Sequence, residues 1–169
     1  MRGALFLDRD GTLMENVPYL GDPNKVEVRF DAVQWVSLAK KKGLHTIVVT
    51  NQSGVARGLI SEPDVKAVNL MLEVLFCGLG ADLDAFYYCP HSPDAWCFCR
   101  KPNPGMILQA AKEHNIDLSK SAMIGDSYTD HLAGTNAWVG TTFHTTHHEK
   151  IIEWLRGCPE HSEPLNSGS

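Results

Sequence analysis

Short apolar, β-rich runs alternate with longer helix-period segments along this chain of 169 residues, and that alternation constrains the fold more than any other feature. The runs fall at 4–7, 46–50, 85–89, 122–125 and 140–143. Apolar spacing near 3.6 residues predicts helices over 32–42, 62–77, 104–114, 129–137 and 149–156. Strands separated by crossovers of this length must be parallel, joined right-handedly, with helices on both faces of the sheet. The punctuation agrees. Asp31, Ser61 and Asn103 are N-cap types, Pro104 suits a first helical position, and Gly43 follows Lys40, Lys41 and Lys42 at a helix end. The expected fold class is therefore α/β, a doubly wound parallel sheet of five strands.

Composition sets the outer bounds. With 43% hydrophobic and 21% charged residues the chain suits one soluble domain, expected over 1–156, followed by an aperiodic, frayed tail over 157–169. A formal net charge of −5 without an extended Lys/Arg block argues against nucleic acid or an anionic membrane as partner. Apolar runs are strand-sized and no charged leader precedes the first of them, so we expect neither signal peptide nor membrane span, and a cytoplasmic monomer.

In open parallel sheets ligands bind at the carboxyl ends of strands, beside the point where strand order reverses. Asp8, Thr50-Asn51, Cys89 and Gly125-Asp126 sit at such ends, and four motifs carry the chemistry. Asp8-Arg9-Asp10-Gly11-Thr12 places two carboxylates two positions apart, where an extended chain aims both to one side and Gly11 lets the backbone turn away. One can attack while the other moves protons. Thr50-Asn51-Gln52-Ser53-Gly54 supplies a hydroxyl and neighbouring amides that can hold a phosphoryl oxygen, although the same residues make good turns. Arg100 and Lys101 sit just before a helix start, a fork and a compact charge suited to a phosphoryl group or, taken alone, a solvated basic pair. Asp126 and Asp130 flank another helix start. Asp126 with Asp8 and the Asp10 carbonyl would form a hard-oxygen Mg²⁺ site, and Asp130 would cap the helix.

Cys89, His91, Cys97 and Cys99 lie within eleven positions, the ligand set of a closed structural zinc site. A disulfide or ordinary buried thiols would be the alternatives. Clamping this loop would fix Arg100 and Lys101, which follow it directly.

Taken in order, the motifs resemble the haloacid dehalogenase superfamily, from residue 4 to about 143. The resemblance implies a Rossmann-like sheet, with no cap domain visible between motifs. It implies Mg²⁺-dependent phosphomonoester hydrolysis through an aspartyl-phosphate, with Asp8 as nucleophile and Asp10 as acid and base. Thr50 and Lys101 would steady the phosphoryl group, and Asp8, Asp10 and Asp126 would hold Mg²⁺. The cysteine loop is similar to that of the zinc-containing branch, which includes heptose 1,7-bisphosphate 7-phosphatases and histidinol-phosphate phosphatases. Pro18-Tyr19 and the 50–58 motif tilt the match toward the heptose enzymes. The implied substrate is a small phosphorylated metabolite, contacted by Asn16, Val17, Pro18, Tyr19, Asn51, Gln52, Ser53 and Arg100. A silent zinc-stabilised binding protein is the reading from another class. Three features depart from the heptose pattern: a shorter zinc loop, Ser127 where those enzymes commonly carry Lys, and a short region after Gly140 bearing His144, His147 and His148.

Overall fold

A computed structural model describes residues 1–160. Its strands are β1 (Ala4–Leu7), β2 (His45–Asn51), β3 (Ala85–Cys89), β4 (Ala122–Gly125) and β5 (Thr141–His144). The intervening helices are α1 (Phe30–Lys41), α2 (Glu62–Gly78), α3 (Gly105–Glu113) and α4 (Tyr128–Asn136), and α5 (His148–Gly157) follows β5. All four strand pairings are parallel and the sheet order is β3-β2-β1-β4-β5. The chain moves outward from β1 through β2 and β3, then returns to β4 on the other side. The reversal lies between β1 and β4, so their carboxyl ends face one crevice.

The pleat divides the core. Leu5 and Leu7 face α1, α2 and α5, packing with Trp35, Val36, Leu72, Phe76, Ile151 and Leu155, all fully buried. Ala4 and Phe6 face the other way, against Met106, Ile107 and Ala110 of α3 and Ala133 of α4. Each large side chain in these layers contributes about 1.5–3 kcal/mol by leaving water. The two opposed apolar faces explain why the central strands read as unbroken hydrophobic runs rather than alternating ones.

Capping matched the sequence in part. Ser61 forms a full capping box, its Oγ accepting from Asp64 N at 3.2 Å while Asp64 Oδ2 accepts from Ser61 N at 2.8 Å. Gly43 takes φ 74° after the lysine run, as a helix stop requires. Two expected caps are corrected. Arg29, not Asp31, precedes α1, and Asp31 instead accepts from Ala32 N inside the first turn and pairs with Arg29 at 3.2 Å. Pro104 precedes α3, because Asn103 spends its side chain on Cys97 O at 2.8 Å and ties the cysteine loop to the helix start. β5 is shifted one residue from its expected span, which brings His144 into register opposite Gly125. α5 reaches Gly157 and Cys158 packs against the core, so the ordered chain enters the segment read as a tail. Residues 161–169 lie outside the described residues. Among the described residues no helix is long and apolar enough to cross a membrane.

Candidate active site and metal-ligating loop

Asp8 is the first residue past β1, and its N–H still bonds Ile124 O of β4 at 3.0 Å, so strand pairing fixes the backbone from which its carboxylate projects. Asp8 Oδ1 accepts from Lys101 Nζ at 2.7 Å. The same ammonium donates to Asp130 Oδ1 at 2.6 Å and to Val49 O at 2.8 Å, which engages all three of its protons. Lys101 is 3% exposed, Asp8 8% and Asp130 1%. Two buried acids thus share one buried base.

The electrostatics follow from that count. Burial drives the Asp8 carboxyl up to about 7, opposed by Lys101 and reinforced by Asp130. Burial, then repulsion from Asp130, raises Asp126 as well. Burial works against the Lys101 charge, but Asp8 and Asp130 outweigh it and hold the ammonium above its ordinary pKa. An excess of carboxylate over cation is the condition that a divalent ion relieves. Asp8, Asp126 and Asp130 each offer an oxygen within 4.8 Å of the others. Asp130 is already committed, since its Oδ2 accepts from Ser127 N at 3.0 Å and Ser127 Oγ at 2.8 Å. Asp8 and Asp126 are therefore the two carboxylates that could hold a hard cation. Gly11 makes room for the second: at φ +80° a Cβ there would stand 2.1 Å from Asp126 Oδ2.

Asp10 turns its carboxylate to a different set of partners. It accepts from Arg9 Nε at 3.1 Å, Arg9 Nη2 at 3.2 Å, Gln52 Nε2 at 2.8 Å and Thr50 Oγ1 at 3.5 Å. Arg9 is fully buried and its Nη1 donates to Asn69 Oδ1 of α2 at 2.9 Å. Gln52 also donates to Thr50 Oγ1 at 2.9 Å. Asn51 pairs with the Lys101 backbone like a neighbouring strand, donating to Lys101 O and accepting from Lys101 N, both at 3.0 Å. Asn51 and Gln52, read from sequence as substrate contacts, spend their side chains holding Lys101 and Asp10.

Asn16, Val17, Pro18 and Tyr19 form an exposed loop. Tyr19, at φ 51°, lies over Gly54, where a Cβ would come within 2.8 Å of its ring. The loop after β1 thereby meets the loop after β2, in which Ser53 is half-buried. Arg100 is half-buried too, and its Nη1 is shielded from solvent without a hydrogen-bond partner.

The cysteine loop begins at the end of β3. Cys89 Sγ lies 3.4 Å from His91 Nδ1, 3.6 Å from Cys97 Sγ and 3.3 Å from Cys99 Sγ, and His91 Nδ1 lies 3.2 Å from Cys99 Sγ. A disulfide needs about 2.05 Å between sulfurs. Tetrahedral bonds of about 2.0–2.3 Å to one ion imply ligand edges of roughly 3.5–3.8 Å, close to those observed. The set can hold a metal. Gly105 locks the loop to α3, since its N–H donates to Phe98 O at 3.1 Å and a Cβ would stand 2.4 Å from that oxygen.

Arg9, Asn69 and Asp130 complete the site, and the motifs had not assigned them to it. Each left a trace: Arg9 lies between the paired acids, Asn69 stands on the apolar face of α2 beside Val65, Val68 and Leu72, and Ser127 with Asp130 forms a capping box.

A family model described as HAD-hydrolase-like matches residues 98–146. The chain is 44% identical over 137 residues to a D-glycero-beta-D-manno-heptose-1,7-bisphosphate 7-phosphatase of Helicobacter pylori, spanning 80% of this chain and 79% of the relative. The chain belongs to this family of HAD-like phosphatases. The Escherichia coli K12 member of the same name is 38% identical over 145 residues, covering 82% of this chain and 76% of its own. Among solved structures, the D,D-heptose 1,7-bisphosphate phosphatase of B. bronchiseptica, complexed with magnesium and phosphate, superposes with a TM-score of 0.75 at 28% identity. That match covers 97% of this chain and 92% of the other. A HAD-like protein of Mesorhizobium loti gives 0.85 at 28% identity, over 96% and 90% of the two chains. HAD-like phosphatases hydrolyse phosphoesters with Mg²⁺.

Proposed function

We propose that the protein removes one phosphate from a sugar bisphosphate of the heptose 1,7-bisphosphate type, through an aspartyl-phosphate on Asp8. The observation that carries this reading is the buried Lys101 ammonium bridging Asp8 and Asp130 at the switch point, with Asp126 alongside. Such a site tolerates a dianionic phosphoryl group only when its own negative charge is balanced. Bound to Asp8, Asp126 and the Asp10 carbonyl, Mg²⁺ would supply that balance and polarise the phosphoryl oxygens.

The chain's own groups do the rest. Asp8 Oδ1 is held by Lys101, which leaves Oδ2 to attack phosphorus in line with the departing sugar oxygen. The Thr50 hydroxyl and the positive charge of Lys101, whose three protons stay on Asp8, Asp130 and Val49 O, steady the phosphoryl oxygens as charge shifts onto them. Asp10 gives its proton to the leaving oxygen, then takes one from the water that hydrolyses the acyl phosphate. Arg9 and Gln52 hold Asp10 for both steps. Asn16, Val17, Pro18, Tyr19 and Ser53 line the approach. The buried, unpartnered Arg100 Nη1 is suited to an anionic or hydroxylated part of the substrate. Asn51 acts through Lys101. Zinc on Cys89, His91, Cys97 and Cys99 is structural and keeps Arg100 and Lys101 in place. The proposed setting is a monomer acting in the cytoplasm.

Phosphate release should be measured with Mg²⁺ across sugar monophosphates, sugar bisphosphates and histidinol phosphate. Heptose 1,7-bisphosphate should give the highest kcat/KM, and Asp8→Asn should abolish release while the fold persists. Turnover by that variant would overturn the nucleophile, and preference for histidinol phosphate would overturn the substrate.

A further inference from the structure

His144 is the last residue of β5, opposite Gly125 in the final rung of the β4–β5 ladder. One further bond, Thr145 N to Gly125 O at 3.2 Å, closes the pairing. Asp126 is the first residue beyond it, and its carbonyl is met by a side chain instead of a strand: His144 Nε2 lies 3.1 Å from Asp126 O. The other ring nitrogen settles the direction of that bond. His144 Nδ1 faces the backbone N–H of Thr146 at 3.2 Å and Thr146 Oγ1 at 2.8 Å. An amide can only donate, so Nδ1 accepts, the proton sits on Nε2, and Nε2 donates to the Asp126 carbonyl. The ring is flanked by His131, nearly parallel to it at 13° with centroids 6.1 Å apart, and by His147 at 6.1 Å.

The Asp126–Ser127 peptide is therefore held from both sides. Its carbonyl is fixed by His144, and its N–H by Asp130 Oδ2 at 3.0 Å. That peptide sets the direction of the Asp126 side chain, whose Oδ2 occupies the space left by Gly11. Ring stacking alone would not require the polar edge to point at this carbonyl, and nothing in the four motifs assigns the histidines a part.

We propose that His144 is a positioning residue for the divalent-cation site, orienting Asp126 through the Nε2–H bond to its main-chain carbonyl. The inference rests on Asp126 being a cation ligand, as set out above. Groups that orient a ligand commonly change metal affinity by about 10–100-fold when lost.

The test is Mg²⁺ binding by isothermal titration calorimetry on the full chain as wild type, H144N, H144Q and D126N, with Mg²⁺ activation curves alongside. The Gln amide reaches the position of Nε2, and the Asn amide does not. H144N should weaken Mg²⁺ by roughly 10-fold or more, H144Q should recover most of that loss, and H144N should regain its kcat at saturating Mg²⁺. Melting without Mg²⁺ should separate H144N from H144Q far less than Mg²⁺ affinity does. Wild-type affinity in both variants, or equal weakening of both, would overturn the proposal. Wild-type affinity in D126N would instead overturn the cation site on which it rests.

Discussion

Asp130 offers the sharpest test of how the site is held together. Both of its oxygens face donors: Oδ1 accepts from the Lys101 ammonium at 2.6 Å, and Oδ2 accepts from Ser127 N and Oγ at the start of α4. An amide cannot replace it. With its oxygen toward Lys101, the Asn NH2 faces the Ser127 N–H; reversed, it faces the ammonium. Loss of a helix cap costs about 1 kcal/mol, and loss of a buried hydrogen bond to a charged group about 1.5–3 kcal/mol. Removing one partner of a buried ion pair costs about 3–5 kcal/mol when the other is stranded, but Lys101 keeps Asp8 and Val49 O. Asp130→Asn should therefore destabilise by about 1.5–3 kcal/mol, and Asp130→Ala by about 2.5–4 kcal/mol. For a chain of this size that lowers Tm by roughly 3–16 °C. Urea unfolding without Mg²⁺ measures the first quantity, calorimetry the second. Phosphate release at saturating substrate should fall in both variants, because Lys101 loses one of three anchors. Stability of both variants within about 0.5 kcal/mol of wild type, the range of an ordinary surface substitution, would refute the buried-pair reasoning.

Three other outcomes follow from the same geometry. Gly11→Ala should lose Mg²⁺-dependent phosphate release while still folding, because the new methyl collides with Asp126 Oδ2 and the φ of +80° disfavours alanine; full activity would contradict the cradle. Zinc chelation, followed by melting, should lower Tm, whereas Mg²⁺ withdrawal should stop turnover and leave Tm nearly unchanged; equal effects of both treatments would contradict the division between a structural and a catalytic ion. Away from the site, burial disfavours the Asp84 charge, but Lys40 and the Thr46 N–H and hydroxyl outweigh it and hold the carboxyl below its ordinary pKa. A depressed folded pKa adds stability that is present above the unfolded value near 3.9 and lost as pH falls through the folded one. The stability gap between wild type and Asp84→Asn should therefore close as pH falls below about 4, as read from urea midpoints; a gap that widened below about pH 4 would reverse the sign.

The layers of the fold and the meeting of strand ends along one edge were legible in the order of residues alone. Apolar runs at fixed spacing specify parallel strands, because burying both sheet faces leaves no other arrangement, and residues at strand ends must then share an edge. The convergence of Asp8, Thr50 and Asp126 was legible for that reason, with Lys101 carried beside them by the loop after β3, and the clustering of Cys89, His91, Cys97 and Cys99 because residues on one short loop need no distant partner to meet. Tertiary structure decided what each polar side chain does once it arrives. Asn51 and Gln52 follow a strand like any substrate-binding pair, yet they bind Lys101 and Asp10, because β2 ends between them. Arg9 is charged and fully buried, which only the juxtaposition of Asp10 and Asn69 makes affordable. Asp130 reads as a helix cap until α4 is docked beside Lys101, and His144 reads as a surface histidine until β5 is registered against β4. Spacing fixes which backbone positions converge; hydrogen-bond partners are chosen by side-chain direction and burial, and those exist only in the folded chain.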